Sequence, residues 1–488
     1  MDSTDGILML IDAEVLFNQS RGLVEKGENL DIAAEGFNRL LNQTIHGEGN
    51  AAHILFYLGC IHMKKKELAM ALLVFRQAIK HKKDFIEAIN NLGYTFKEAG
   101  LFDDARKCFE QVWKVVSESP ETVPEKDKSD YLTNIGSLLI QNGTPEKALD
   151  LFNQALALEG CGITTKWNKS LALLELGRYE EGFALYDFGE RTERCRTRDY
   201  GVKDLPEWDG TPGKTVVVYG EQGIGDEIMF ASVIPDAMKD ITIILDCHPR
   251  LIDIFRTNFP TLALYGTRKT EIQSVEWKGF HKIDAKIAMG SLCRFYRKRL
   301  EDFPRLPYLR ADEKLSDKWR EKLDSMGNRP KIGISWKGGT RSTGNNQRLI
   351  PLEMWVDIFK NVDADFISLQ YNKGMEEDID AFEKKHGVCI NHWPEMVYDY
   401  DETAGLVQNL DLVISAPQSV VHLAGALGVP TWQLAPIRAM WQVGVYGENM
   451  PWYITNENIW QKNVDDWSTV MTEVKDRLCS SLQTNTKT

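Results

Sequence analysis

The chain has 488 residues, a formal net charge of −13, 43% hydrophobic residues and 26% charged residues. This length exceeds what one hydrophobic core usually serves, so two or three domains are expected, and the composition excludes a disordered or fibrous protein. The acidic charge argues against nucleic acid as a main partner, because proteins that hold a phosphate backbone concentrate Lys and Arg.

The N-terminus and the cysteines predict a cytoplasmic location. Residues 1–5 are acidic where a secretory signal begins with basic residues, and no apolar run approaches the roughly 18 residues that span a bilayer. The eight cysteines are scattered, without a Cys-x-x-Cys pair or a zinc-like spacing with His. We therefore expect a cytoplasmic protein with reduced thiols that does not span a membrane.

A repeat with a period of about 34 residues occupies the first part of the chain. Three copies carry small and aromatic residues in the same order: Gly59, Ala71, Phe75 and Ala78; Gly93, Ala105, Phe109 and Val112; and, after an insertion, Gly136, Ala148, Phe152 and Ala155. Two weaker copies have comparable residues: Trp167, Gly177, Tyr179, Gly182 and Tyr186; and, around residues 14–47, Gly27, Ala33 and Phe37.

These copies predict helical hairpins that stack side by side, since one hairpin cannot bury its own apolar face. Gly and Ala would lie where two helices approach closely, and Phe or Tyr would fill the space between hairpins. This part resembles tetratricopeptide domains, which usually present a concave groove to a peptide or protein segment. An oligomerisation or purely structural role is the alternative, and the residues do not decide between the two.

Beyond Arg198 short β-rich segments alternate with helical ones, which is typical of parallel sheets wound with helices. The predicted strands form two series, at 215–219, 241–246 and 262–265, and at 331–336, 365–370, 388–391, 410–415 and 430–435. Ligands of open α/β sheets bind beyond the carboxyl ends of the strands, so two such lobes would face each other across a cleft. We predict a repeat domain at 1–200 and two α/β lobes at 201–314 and 315–488.

The turn after the first strand is rich in glycine and leads into a helix that opens with Asp226. Glycine permits close approach of the backbone, and a helix N-terminus offers free N–H groups to an anion or polar acceptor. The spacing is not GxGxxG, so the standard dinucleotide fingerprint is absent. Asp226 either acts as general base toward an attacking hydroxyl or only caps its helix. The turn residues predicted to line the cleft are Glu221, Gln222, Gly223 and Gly225.

Two segments of the second lobe carry candidate ligands for an anion. The loop after the strand at 331–336 contains Lys337, Arg341 and Arg348, which would neutralise a diphosphate or, alternatively, are incidental charges on a solvated loop. In the second segment, Ser419 lies at a helix N-terminus that favours a phosphate. His422 follows on the first turn, either as a donor contact or as a packed, hydrogen-bonded residue.

Several motifs in the same order resemble those of tetratricopeptide proteins that carry a family 9, heptosyltransferase-like glycosyltransferase domain. The most specific are GEQGIGD at 220–226 and HLAGALGVP at 422–430. The resemblance implies a GT-B fold, that is, two Rossmann-like lobes of which the first faces the acceptor and the second holds a nucleotide-sugar donor. It also implies that no metal and no cofactor is essential.

The resemblance assigns roles to individual residues. Asp226 matches the family's catalytic aspartate, and Arg348 falls where such proteins carry a basic residue toward the donor phosphates. Gln418, Ser419 and His422 occupy the family's donor-phosphate loop. The predicted donor site also includes Trp336 and the two loop cations, Lys337 and Arg341. The family usually reads Asp-Thr where this chain has Pro417 and Gln418, so one side-chain contact is missing and proline removes an N–H from the turn.

The sequence therefore predicts an inverting, metal-independent glycosyltransferase that acts on a protein, lipid or polysaccharide, with the repeats recruiting the acceptor or a protein partner. The alternative is an inactive scaffold of the same fold that binds a nucleotide or a protein. Pro417 and Gln418 favour the scaffold, whereas Asp226 and Arg348 favour the enzyme. A nucleotide-sugar epimerase or other dinucleotide enzyme is disfavoured, because GxGxxG is missing and so is a Tyr-x-x-x-Lys pair beside a Ser.

Overall fold

The computed structural model describes residues 3–43, 51–119, 121, 123–158, 162–189, 205–220, 222–267, 281–339, 345–372, 374–437, 440–463 and 466–485. These residues fall into two compact units. The first contains the helices up to Leu138 together with residues 153–158, and the second contains residues 139–152 and the described residues from Gly162 onward.

Ten helices make up the first part of the chain as the structure describes it. They are α1 (Ser3–Lys26), α2 (Leu30–Gln43), α3 (Ala51–Lys64), α4 (Leu68–His81), α5 (Ile86–Glu98), α6 (Phe102–Glu118), α7 (Glu125–Gln141), α8 (Pro145–Leu156), α9 (Ile163–Glu175) and α10 (Tyr179–Tyr186). Helices α1 and α2, α3 and α4, α5 and α6, and α9 and α10 pack as hairpins. No helix among the described residues has both the length and the apolar character needed to cross a bilayer.

The small and aromatic repeat positions pack as predicted. A Cβ atom added to Gly59 would lie 2.5 Å from Cε1 of Phe75, and one added to Gly93 would lie 2.9 Å from Cε1 of Phe109. Only glycine fits beside these rings without a shift of the neighbours. The recurring Ala and Phe residues are fully buried: Ala33, Phe37, Ala71, Phe75, Ala78, Ala105, Phe109, Ala148, Phe152 and Ala155. The helical repeat prediction is confirmed. The copy predicted around residues 14–47 corresponds to the hairpin of α1 and α2, although α1 already begins at Ser3 and residues 44–47 lie outside the described residues.

The first α/β lobe contains a four-stranded parallel sheet in the order β3-β2-β1-β4. Its elements are β1 (Thr215–Tyr219), α11 (Ile224–Ala231), α12 (Ile234–Ala237), β2 (Thr242–Asp246), α13 (Ile252–Asn258), β3 (Ala263–Tyr265), β4 (Ala285–Ala288) and α14 (Cys293–Tyr296). Strand β1 is central and buried on both faces, which explains its continuous run of valines. The chain leaves β1 toward β2 on one side while β4 lies on the other, so the β1 turn opens at a topological switch point.

The second lobe contains a five-stranded parallel sheet in the order β6-β5-β7-β8-β9. Its elements are α15 (Glu313–Asp324), β5 (Lys331–Ser335), α16 (Val356–Asn361), β6 (Asp365–Ser368), α17 (Met375–His386), α18 (Glu395–Tyr398), α19 (Tyr400–Gln408), β7 (Leu412–Ser415), α20 (Ser419–Leu427), β8 (Thr431–Ala435), β9 (Asn456–Trp460) and α21 (Ser468–Asn485). The order reverses between β5 and β7, so the loops after these two strands flank the second switch point.

The two parallel sheets confirm the predicted pair of Rossmann-like lobes, the GT-B arrangement, while two details differ. The predicted strand at 388–391 is wrong, because only Asn391 bridges to Ile367. Strands β4 and β9 were not predicted. Both strands lie at the edge of their sheet. Their sequences, Ala-Lys-Ile-Ala and Asn-Glu-Asn-Ile-Trp, contain the charged or polar residues that are common in edge strands.

The hairpin of α9 and α10 shares a hydrophobic core with both α/β lobes. Tyr186 packs against Phe230 of the first lobe at 5.9 Å between ring centroids and against Trp441 of the second lobe at the same separation. Tyr179 packs against Phe303, which lies between the lobes, at 4.9 Å. The predicted domain boundaries stay predictions, but this hairpin belongs to the second compact unit.

Candidate functional site

Asp226 caps the helix that follows β1. It is the third residue of α11, and its Oδ2 accepts a hydrogen bond from the backbone N–H of Gly223 at 2.9 Å. A carboxylate in this position satisfies a free N–H and interacts favourably with the positive end of the helix dipole. The capping role considered from the sequence is therefore present in the structure.

The second carboxylate oxygen of Asp226 faces the other lobe. Oδ1 accepts a hydrogen bond from Nε2 of Gln442 at 3.1 Å, and Gln442 lies in a buried 3₁₀ turn, Trp441–Val443, of the second lobe. The same side chain thus caps its own helix and contacts the second lobe. Capping the helix and facing the other lobe do not exclude each other.

The starts of helices α11 and α20 meet at Gly225. A Cβ atom on Gly225 would lie 3.0 Å from Cα of Ser419 and 3.2 Å from Cδ2 of His422. Glycine lets the two helix N-termini, with their free N–H groups, approach this closely, whereas a side chain here would push the neighbouring residues apart by a few tenths of an ångström. Of the other turn residues, Gln222 contacts Tyr186 through its side chain, and Glu221 lies outside the described residues.

Gln370, at the end of β6, fixes the main chain of the loop that follows β5. Its Oε1 accepts hydrogen bonds from the Ser335 hydroxyl at 2.8 Å and from the backbone N–H groups of Trp336 and Lys337 at 3.2 and 3.1 Å. Its Nε2 donates to the carbonyl of Lys337 at 2.8 Å. The Trp336 side chain belongs to the core of the second lobe. Arg341 lies outside the described residues.

Arg348 is a buried cation beside the turn that follows β7. Its Nη1 is 3.5 Å from the carbonyl oxygen of Pro417. Burial lowers the pKa of Arg348, while Tyr371 and the carboxylate of Asp226 act in the opposite direction. Arg348 and Asp226, which were predicted from separate motifs, therefore interact through their opposite charges.

The three predicted residues around the start of α20 have different surroundings. Gln418 is buried and its Nε2 contacts the Ser335 hydroxyl, while its Oε1 has no hydrogen-bond partner within the described part of the chain. Ser419 is the first residue of α20. Nδ1 of His422 is 3.4 Å from the Tyr453 hydroxyl, and burial lowers the pKa of His422 to about 4, so its imidazole is neutral near pH 7.

Sequence reasoning missed several residues of this cluster. The guanidinium of Arg250 lies 5.3 Å from the ring centroid of Tyr400, which begins helix α19 of the other lobe. Burial raises the pKa of Tyr371, and the charges of Arg348 and Arg250 oppose this effect. Arg250 and Tyr371 follow strands β2 and β6, so the strand-end rule could have found them. Gln442 follows no such strand end, and no motif marks it.

Together these residues place a carboxylate and cations from both lobes around the starts of α11 and α20. Arg250 comes from the first lobe and Arg348 from the second, close to the N-terminus of α20. Such a set suits a ligand with a phosphate group next to a polar reacting centre. Within the described parts of the chain, no three His, Cys, Asp or Glu side chains form a group that could hold a metal ion.

Comparisons with known proteins agree with this architecture. A tetratricopeptide repeat family model matches residues 90–160, which confirms the predicted repeats. Protein FlbA of Caulobacter vibrioides is 25% identical over 456 residues, which are 88% of this chain and 68% of FlbA.

Two solved structures align with parts of the chain. ADP-heptose LPS heptosyltransferase II of E. coli has a TM-score of 0.40 and 14% identity, over 55% of this chain and 99% of that one. A tetratricopeptide repeat protein from Parabacteroides merdae has a TM-score of 0.29 and 20% identity, over 37% of this chain and 66% of that one.

Proposed function

We propose that the protein is a glycosyltransferase that moves a sugar from a nucleotide-sugar to a hydroxyl of a protein, lipid or polysaccharide acceptor, with inversion and without a metal ion. The observation that carries this proposal is the position of Asp226, whose Oδ1 faces the second lobe at Gln442 in the same cluster as the buried cation Arg348. A general base and a site for a departing diphosphate are what such a transfer requires.

In the proposed step, the acceptor oxygen forms a bond to the anomeric carbon of the sugar while its proton passes to Asp226. The bond between the anomeric carbon and the phosphate oxygen breaks, and its electron pair leaves with the nucleotide diphosphate. In the structure, Oδ1 of Asp226 accepts a hydrogen bond from the Gln442 amide. The acceptor hydroxyl would take the place of that amide.

The second lobe would stabilise the departing diphosphate. The candidate contacts are the guanidinium of Arg348 and the free N–H groups at Ser419. Lys337 and Arg341 of the loop after β5 are further candidates, chosen from the sequence. Arg250 would add a cation from the first lobe. His422, neutral near pH 7, would serve as a hydrogen-bonding contact to the donor and not as an acid or base. The repeats would recruit the acceptor or a protein partner.

Thermal melting against nucleotides and UDP-, GDP- and ADP-linked sugars tests donor binding. A donor at 100 times its dissociation constant should stabilise the protein by about 2.7 kcal/mol. In Asp226→Asn the binding should persist, because Asn keeps an acceptor for Gly223, whereas turnover should fall by about 10²–10⁴-fold because Asn takes up no proton. Asp253→Asn, at an exposed carboxylate of the same lobe, is the matched control. The absence of a shift with any nucleotide, or full turnover in Asp226→Asn, would contradict the proposal.

A second candidate is an inactive scaffold that uses the same cleft to bind a nucleotide or a protein partner. The side chain of Gln418, at the position where the family usually carries a hydroxyl, is turned into the lobe toward Ser335. Pro417 offers only its carbonyl, 3.5 Å from Arg348. Nucleotide binding without turnover in wild-type protein, at saturating donor and over the whole panel, would favour this candidate.

A further inference from the structure

The hairpin of α9 and α10 contacts the Asp226 turn through a tyrosine. Tyr186 is the last residue of α10, and its hydroxyl accepts a hydrogen bond from Nε2 of Gln222. Gln222 directly precedes Gly223, whose N–H donates to Oδ2 of Asp226. Gly223 therefore holds Oδ2 of Asp226, and Tyr186 fixes Gln222, the residue before Gly223.

The ring of Tyr186 has a similar relation to the other oxygen. It meets the Trp441 ring edge to face at 5.9 Å between centroids. Trp441 directly precedes Gln442, whose Nε2 donates to Oδ1 of Asp226. Tyr186 thus contacts the chain neighbour of each residue that holds the Asp226 carboxylate.

The position of Tyr186 is itself set by the hairpin and by an ion pair. Its ring packs on Trp167 of α9 at 5.0 Å. The next residue, Asp187, forms an ion pair with Arg294 of α14, which also donates to the carbonyl of Trp208 at 3.0 Å. The end of α10 is therefore tied to the first lobe independently of the Tyr186 hydroxyl.

We propose that Tyr186 is a positioning residue for Asp226: its hydroxyl fixes the Gln222–Gly223 turn and its ring fixes the Trp441–Gln442 turn, so that the last repeat hairpin orients the carboxylate. As an account of catalysis this rests on the proposed function. A carboxylate displaced by about 1 Å from its productive geometry loses up to about 10²-fold in rate, so a residue with no substrate contact affects turnover. The hairpin is then a part of the active site and not only a terminal repeat.

The variant Tyr186→Phe removes the hydroxyl and keeps the ring, so the aromatic core should remain intact. Tyr179→Phe is the matched control, since Tyr179 lies on the same helix and its buried ring packs on Phe303, away from Gln222. With whichever UDP-, GDP- or ADP-linked sugar the wild-type protein turns over, Tyr186→Phe should lower kcat about ten-fold with the KM for the donor unchanged. Tyr179→Phe should match the wild-type kcat. Equal kcat values in the two variants, or a change in KM alone, would overturn the proposal.

Hydrogen–deuterium exchange of the ligand-free protein provides a readout that needs no donor. Amides of the peptide 222–231 should exchange about ten-fold faster in Tyr186→Phe than in Tyr179→Phe, because the turn loses its side-chain anchor. Unchanged exchange in this peptide would overturn the positioning role. If the wild-type protein turns over no sugar in the panel, the proposed function fails and the exchange result alone decides whether Tyr186 holds the turn.

Discussion

The hairpins α3–α4 and α5–α6 differ from the hairpin α9–α10 in what their aromatic residues contact, although all three follow the same repeat. In α3–α6 the large rings face glycines of the same hairpin, Phe75 against Gly59 and Phe109 against Gly93. In α9–α10 three aromatic residues pack against rings of the α/β lobes: Tyr179 on Phe303, Phe183 on Trp441, and Tyr186 on Phe230 and Trp441.

This difference shows that the repeat pattern specifies the hairpin but not its partner. Glycine and alanine at fixed offsets let two helices approach, whatever lies on the outside of the pair. What the hairpin packs against is set by the residues on its outer face. In α10 these residues are aromatic. A hairpin of the repeat can therefore pack against a different fold.

The largest expected effect comes from Trp441→Ala. Trp441 is buried and contacts Phe183, Tyr186, Phe230 and Trp452. Removal of its ring should destabilise the second compact unit by about 3–5 kcal/mol, because the cavity is bordered by three elements that cannot all move inward. Chemical denaturation, followed by far-ultraviolet circular dichroism of the backbone and not by tryptophan fluorescence, measures this loss.

The matched control is Trp113→Ala on α6, where the tryptophan is 39% exposed. Its cost should be smaller, about 2 kcal/mol, since part of the ring is already exposed to solvent and less buried apolar area is lost. Similar losses in both variants would mean that the aromatic contacts of α10 do not distinguish it from the other hairpins.

Alanine substitutions at Gly93 and Gly182 should destabilise different regions of the protein, and this distinguishes the two hairpins. A Cβ at Gly93 would lie 2.9 Å from Cβ of Cys108, and one at Gly182 would lie 2.7 Å from Cγ of Leu174. Overpacking of this kind costs about 1–3 kcal/mol. Gly93→Ala should raise hydrogen exchange in α5 and α6, and Gly182→Ala should raise it in α9, α10 and the peptide 222–231.

Gly22→Ala serves as the control for this pair, because no atom lies within 4 Å of the added Cβ and the residue is inside α1. It should be neutral or stabilising by about 0.5–1 kcal/mol, since alanine restricts the unfolded chain. If Gly182→Ala leaves the 222–231 peptide unchanged, the hairpin and the Asp226 turn are not coupled.

The fold was largely predictable because its information is local. The glycine and phenylalanine offsets predict the repeats, and continuous apolar runs such as Val216–Val218 predict buried parallel strands. Strand β9 escaped prediction because its residues are mostly polar, and the segment at 388–391 was assigned to a strand because its apolar content resembles one. The pattern of apolar residues does not show whether a short segment will join the edge of a sheet.

The candidate site was predictable only where its residues follow the ends of parallel strands. The turns after β1, β5 and β7 meet at switch points, so Asp226, Arg348 and Ser419 could be chosen from sequence. The contacts of Gln442 with Asp226 and of Tyr186 with Gln222 join segments far apart in the chain, and only the packed structure brings them together. Their residue types are ordinary, so no motif indicates them.

The last expected effect is present only at high pH and concerns a partly buried carboxyl group at the end of α9. Burial, and to a lesser extent the nearby Glu146, raises the pKa of Glu175 to about 8. Because the folded-state pKa lies above the unfolded value of 4.5, the folded state is favoured while Glu175 is protonated, and this stability is lost as the pH rises toward 8. Glu175→Gln should therefore match the wild-type protein near pH 4.5 and be more stable by about 1–3 kcal/mol at pH 8, in denaturation at both pH values. Glu98→Gln, the same change at the last residue of α5, controls for helix propensity and the helix dipole. An equal gain in both variants would show that the charge at Glu175 is no more costly than one in an ordinary repeat, and the contrast between the hairpins would then rest on the aromatic residues of α10 alone.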